Sequence, residues 1–303
     1  MSFSRTPSGL TNMATFCSAD FIVFTEGGSG SFTAEEALDG NFNTMSVDIK
    51  FWSTVFNKYG FNKRLHFRAL GSKTSAEELA LKAERSEVSN ILVVRDSDLD
   101  DFLQRKIDSP FVLYTYGYSW ENDTWHKDSI ISQIECFNMS TALPENCRES
   151  IDKSFSALDK YARRLLLLEL IFRKNGLKFI TECTGEQFIN NRSQPILKSE
   201  PFLRQLKKNK DKIVRPVNNT FTINIDSAVR YCYGKLYECL GYNALCYVCK
   251  TYLGIKSLPK QLITSAMIER FAKLEDHRID QHYQGMINRL NTSLAPPILN
   301  EIP

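Results

Sequence analysis

The stretch from Ile91 to Asp101, ILVVRDSDLDD, constrains the fold more than any other part of the chain. Four apolar residues run directly into a cluster of charge. That is the pattern of a buried strand whose C-terminal end opens onto polar chemistry. Asp96 and Asp98 stand two apart, so in extended backbone their side chains leave the same side and can share one divalent cation. An upstream stretch, FIVFT from Phe21 to Thr25, ends comparably in Glu26-Gly27-Gly28, so a second strand delivers a carboxylate at its tip.

The intervening residues supply what joins such strands. Gly27 to Thr44 has the turn chemistry of an exposed loop and is expected to be a flexible lid. Val47 to Tyr59 places Phe51, Val55 and Tyr59 four apart, with Trp52 and Phe56 beside them, which predicts an amphipathic helix packed on a sheet. Arg64 to Leu70 reads as a strand ending in Gly71-Ser72-Lys73-Thr74, with Thr74 or Ser75 as cap of a helix through about Ser86. Phe111 to Tyr116 reads as a fourth strand. Strands alternating with helices imply right-handed crossovers and a mostly parallel four-stranded sheet, whose C-terminal strand ends share the edge where ligands bind. Glu26, Lys73, Asp96, Asp98 and Glu121 are all expected at that edge.

From about Pro144 the pattern turns helical. Ser150 to Asn175 reads as one long helix, apolar nearly all round at LLLLELIF (residues 165–172), and therefore as the central buried helix of an all-α domain. Asp226 to Leu253 and Pro259 to Leu290 read as two more long helices. The expected division is an α/β domain over residues 1–145 and a helical domain over 146–303.

With 303 residues and 43% hydrophobic content the chain can bury a substantial core. The formal net charge of +3 conceals an asymmetry: residues 1–145 hold 13 Lys/Arg and 20 Asp/Glu, whereas residues 146–303 hold 25 and 15. An acidic half beside a basic half fits a cation site next to a polyanion-binding surface, or simply uneven solvation. The first 20 residues carry no basic start followed by an apolar run, and residues 165–172 are too few to span a bilayer. Eight cysteines at irregular spacings then read as reduced thiols, and the expected compartment is cytoplasmic.

Several chemistries are excluded by motif. Gly71-Ser72-Lys73-Thr74 lacks the glycines of a phosphate loop, and neither a GxSxG elbow nor a HExxH occurs, so ATPase, serine-hydrolase and zinc-peptidase readings fall away. Cys232, Cys239 and Cys246 recur every seven residues, and Cys246 to Cys249 forms a CxxC. With no second pair or nearby His, they read as a buried small-residue stripe. Lys73 is either a surface lysine or a phosphate-steadying one. Lys198 to Arg215 is basic, with Lys207, Lys208 and Lys210 at its centre, and reads as a solvated face or a nucleic-acid track. Tyr231, Tyr233, Tyr237 and Tyr242 either complete the helical core or form a partner surface. The carboxylates Glu26, Asp96, Asp98 and Asp100 repel one another unless a cation neutralises them, and all-oxygen ligands favour Mg2+ or Mn2+.

A Glu-Gly after strand one followed by Asp-x-Asp after strand three resembles the Toprim domain of topoisomerases, primases and overcoming-lysogenization-defect nucleases. Haloacid phosphatase-type folds, by contrast, carry Asp-x-Asp after the first strand. Tyr114 to Asn122, YTYGYSWEN, resembles the Tyr-rich Glu-Asn signature of stand-alone Toprim effectors that accompany ABC-type ATPases in PARIS-type anti-phage systems. The resemblance implies a toxic nuclease held inactive by its ATPase subunit and released when a phage anti-restriction protein is sensed. It then acts as a homodimer that cleaves host tRNA. In that scheme Asp96 and Asp98 are metal ligands, Glu26 a general base or acid, and Asp100 and Glu121 ligands or orienting groups. The link from Gly28 to Thr44 is longer than is usual for this family.

Overall fold

A computed structural model describes residues 13–181, 184–191, 193–213 and 225–295, with backbone alone at 225–227. The fold is α/β, with a four-stranded, all-parallel sheet flanked by helices and a helical C-terminal region. The strands are β1 (Phe21–Thr25), β2 (Leu65–Ala69), β3 (Ile91–Arg95) and β4 (Val112–Tyr114), in the order β2-β1-β3-β4. β1 and β3 are central and buried at every residue, as parallel strands covered on both faces must be.

The chain forms two compact units and passes between them four times. One comprises residues 1–96, 106–115 and 275–303; the other comprises 97–105 and 116–274. These limits differ from the single cut near residue 145 suggested by composition.

In the sheet unit, Ile22, Phe24, Ile91 and Val93 pack on α4 (Lys73–Glu84) through Ala76, Leu79 and Ala80. The same cluster takes in Ala34, Ala37 and Leu38 of α2 (Ala34–Asp39) and Met13 of α1 (Met13–Phe16). Phe67 of β2 meets Phe56 of α3 (Val47–Lys58), which is capped by Ser46. The N-cap of α4 is Ser72, whose hydroxyl accepts from Ser75 N–H, rather than Thr74 or Ser75. α2 lies inside the stretch expected to be a lid. Its signal is a capping box, with Thr33 and Glu36 each accepting the other's backbone N–H.

The second unit is built on α8 (Asn146–Lys174), buried along its length from Cys147 to Phe172. It also holds α5 (Asp100–Leu103), α6 (Trp120–Thr124), α7 (Lys127–Phe137), α9 (Glu200–Asn209), α10 (Ile225–Arg230), α11 (Gly234–Tyr252) and α12 (Lys260–Lys273). A two-residue antiparallel ribbon, β5 (Ile189–Asn190) with β6 (Ile196–Leu197), interrupts the helices, so this half is not purely helical. The two long helices expected near the C-terminus are each divided. The first breaks at Tyr231 to Tyr233, between α10 and α11, so Cys232 leaves the stripe formed by Cys239, Cys246 and Cys249. The second breaks before Asp276, which caps α13 (His277–Leu294) by accepting from Arg278 and Ile279 N–H. α13 belongs to the sheet unit, where Tyr283 stacks on Tyr59 and meets Phe51 and Trp52 edge-on.

Among the described residues no helix is long and apolar enough to cross a membrane. Cys17, Cys136, Cys147, Cys232, Cys239, Cys246 and Cys249 are free thiols. Cys183, residues 214–216 beyond Ile213 of the basic run, and the Pro296-Pro297 tail lie outside the described residues.

Candidate functional site

In the sheet unit the parallel register pairs Thr25 with Val94, so the next residues along, Glu26 and Arg95, emerge side by side at adjacent strand tips. Arg95 Nε donates to Glu26 Oε1 at 2.8 Å, with the two side chains only 2% and 11% exposed. Glu77 Oε2 lies 3.7 Å from Arg95 Nη2, and the guanidinium carbon is 5.8 Å from the Tyr114 ring centre. Asp96 follows directly and is half-buried. Lys73, the first residue of α4, is exposed.

The loop after Glu26 is fastened to the end of β2. Asn43 accepts from Gly30 N–H (2.9 Å) and donates to the carbonyls of Gly30 (2.8 Å) and Ala69 (2.9 Å). Gly71 N–H donates to the Gly27 carbonyl at 2.8 Å. Gly71 has φ +64°, and a Cβ there would stand 1.9 Å from the Gly30 carbonyl oxygen, so this approach requires glycine. A Cβ on Gly27 would lie 2.4 to 2.7 Å from both carboxylate oxygens of Asp48, which places that acid against the residue following Glu26. Asp48 was not singled out in the sequence. Its signal is an acid in the first turn of a helix capped by Ser46.

Asp98, Asp100 and Glu121 belong to the other unit. Asp98 sits at φ +44°, a left-handed conformation that Asp tolerates better than most residues, and donates its N–H to the Tyr118 carbonyl at 2.6 Å. Burial, and then the nearby Asp98 carboxylate, hold the Tyr118 hydroxyl proton in place well above the ordinary phenol range. Arg173 Nη2 lies 3.4 Å from that hydroxyl, and its Nε donates to Glu169 at 2.7 Å. Burial opposes the Arg173 charge, but Tyr118 and Glu169 outweigh it and raise its pKa. Glu169 also accepts from Phe179 and Ile180 N–H, so this network is anchored in the backbone. Asp100 is 7% exposed in α5, and neighbouring Asp101 accepts a hydrogen bond from Tyr231.

Glu121 is 2% exposed and is held by the Ser119 hydroxyl and by Lys235 Nζ at 2.5 Å. Burial disfavours the Lys235 charge, but Glu121 and Glu238 overcome that and lift its pKa. Asp123, also unforeseen, organises the Tyr-rich loop by accepting from Tyr116 (3.0 Å) and Gly117 (2.7 Å) N–H. Asn122 Nδ2 donates to the Cys232 carbonyl, and Arg230 Nε donates to the Tyr116 carbonyl at 2.5 Å. Gly234 permits this closeness, since a Cβ there would stand 1.9 Å from Ser119 Oγ.

Of the four tyrosines weighed as a partner surface, Tyr231 and Tyr237 are buried, packing on Phe102 and Phe155. Tyr242 packs edge-on against Trp125, and its hydroxyl donates to the Leu258 carbonyl. Tyr233 packs edge-on against Tyr118. Tyr231 and Tyr237 thus serve the interior of their unit, while Tyr233 and Tyr242 are half-buried. Lys207, Lys208 and Lys210 are exposed on and just after α9.

Among the described residues, no group of three or more His, Cys, Asp or Glu stands ready to hold a metal ion. No family model matches the chain, and no curated protein matches it.

Proposed function

We propose that the chain is a metal-dependent Toprim nuclease, a toxic anti-phage effector that cleaves tRNA once released from an inhibitory ABC-type ATPase. The observation that carries this reading is the pair of neighbouring parallel strands ending in Glu26 and Asp96, with buried Arg95 gripping one Glu26 oxygen. An ion-paired carboxylate at a strand tip is held in one orientation at the edge where a parallel sheet takes its ligands. Asp98 follows in a left-handed turn, not in the extended backbone from which the two side chains were expected to leave the same side.

The donor set is all carboxylate oxygen, which fits Mg2+ or Mn2+, and Mg2+ usually takes only one or two protein carboxylates beside water and substrate. Asp96 and Asp98, two apart in the chain, would hold it. When bound, the ion supplies charge stabilisation and a more acidic water. Glu26, steered by Arg95, serves as the proton-transfer group. Glu121 and Lys235 shape the loop that carries Asn122, and Lys73 steadies phosphate.

A second reading, a non-catalytic Toprim-like module that binds and regulates an ATPase, is favoured by one fact: the Glu26 charge is already balanced by Arg95. Incubating the purified protein with tRNA, total RNA and DNA, with and without Mg2+, separates the two. Mg2+-dependent tRNA cleavage that falls at least about 100-fold in Asp96→Asn and in Asp98→Asn supports the nuclease. Full cleavage by Asp96→Asn overturns the metal assignment. Co-purification with the ATPase and sedimentation of the released protein test the partner and the homodimer.

A further inference from the structure

A cleft of about 560 Å³ opens between the β5–β6 connection and the C-terminal end of α11, within the helical unit. Its lining includes Lys250, Lys256, Tyr247, Asn243 and Asn191 and, among the described residues, no carboxylate. Lys250, Thr251, Lys256 and Ser257 are exposed along one wall, so a chain can enter and leave. The volume lies in the range of nucleotide-sized ligand sites.

The wall bearing Lys256 is built rather than loose. The Leu253 and Ile255 N–H groups both donate to the Cys249 carbonyl, Gly254 turns the chain at φ +71°, and the Tyr242 hydroxyl ties down Leu258 at 2.6 Å. Lys260 lies 5.9 Å from the Tyr242 ring centre but is paired with Glu238 at 3.4 Å, so the positive charge of the cleft comes from Lys250 and Lys256. Asn243 Nδ2 is committed to the Cys239 carbonyl, which fixes its amide and leaves the oxygen as an acceptor.

We infer that this cleft binds a segment of single-stranded RNA, with backbone phosphates on Lys250 and Lys256 and a base against the Tyr247 ring. Two cations, an aromatic face, a fixed amide and hydroxyls are the chemistry that takes phosphate, base and ribose together. The choice of RNA rests on the nuclease reading; the binding itself does not require cleavage.

The test is fluorescence anisotropy with a labelled single-stranded RNA of about eight nucleotides, in EDTA so that no cleavage intervenes. The expected result is that Lys250→Glu/Lys256→Glu weakens binding at least tenfold and lowers the salt slope by about 1.4, the share of two phosphates on a single strand. Tyr247→Ala should weaken binding without changing the slope. Unchanged affinity and slope in the double variant overturn the inference, as does absence of binding by the unaltered protein. Adenosine monophosphate binding as tightly as the oligomer overturns the strand-binding form. Binding that depends on the two lysines in a protein that never cleaves RNA upholds the cleft while the nuclease reading fails. All variant residues but Tyr247 are exposed, and circular dichroism confirms that each variant is folded.

Discussion

Glu26→Gln is expected to destabilise the sheet unit, whatever it does to activity. The Arg95 and Glu26 side chains are 2% and 11% exposed, so neither ion regains water when its partner is neutralised. At 2.8 Å, two unit charges attract by about 6 kcal/mol at an effective dielectric of 20, most of it offset by desolvation. Breaking such a pair costs about 3–5 kcal/mol because the remaining charge is stranded. Gln keeps an oxygen for Arg95 Nε, so only the charge assistance is lost, and the expected cost is about 2 kcal/mol. Arg95→Met, which keeps the apolar stem but takes the guanidinium away from Glu26, is expected to cost about 3 kcal/mol. The double variant should cost less than the two single changes together, with a coupling of about 2 kcal/mol. The assay is urea unfolding in EDTA, with Trp52 reporting on the sheet unit and Trp120 and Trp125 on the other. A Glu26→Gln protein as stable as the original, or a coupling below about 0.5 kcal/mol, refutes the ion-pair argument.

Gly71→Ala is expected to cost more than about 2 kcal/mol, since it adds a Cβ at φ +64° against the Gly30 carbonyl; an unshifted urea midpoint would contradict it. Thiol labelling of the native protein at pH 8 should show a fast phase to which exposed Cys136 contributes, reduced by one thiol in Cys136→Ser. Burial pushes Cys232 and Cys249 up to about 12, so their thiolates form only as pH approaches that value and they should label slowly; equal rates would refute this. Charge reversal of Lys207, Lys208 and Lys210 to Glu should reduce the salt slope of RNA binding by about 2, whereas an unchanged slope marks a solvated face.

The parts of the fold that depend on local pattern were legible. FIVFT and ILVV are uninterrupted apolar or β-branched runs beside turn residues, and β1 falls at the expected limits while β3 extends one residue further, to Arg95. α3 follows from its four-residue apolar spacing. The breaks at Tyr231 to Tyr233 and before Asp276 were missed because no proline interrupts the helical pattern there. In each case the stop is set by tertiary fit or by a cap, as when Gly234 lets α11 begin against Ser119. At the candidate site, Glu26 and Asp96 were readable as strand tips, but Arg95 was passed over because a charged residue ending an apolar run looks like the onset of solvent. Its partner lies 69 positions away and is revealed only by the β1–β3 register. Asn43, Asp48 and Asp123 owe their roles to backbone geometry that no spacing rule exposes.

That α13 belongs with the sheet has a consequence for how the protein is made. During synthesis the strands emerge early, yet Phe51, Trp52 and Tyr59 lack their cover until residues 277–294 have left the ribosome. Contacts this distant in sequence form slowly, and an aromatic face waiting for them invites chaperones or partners in the interval. A fragment cut near residue 145 would carry all four strands and still leave that face bare. The chain order therefore imposes a delay between translation and a finished sheet unit.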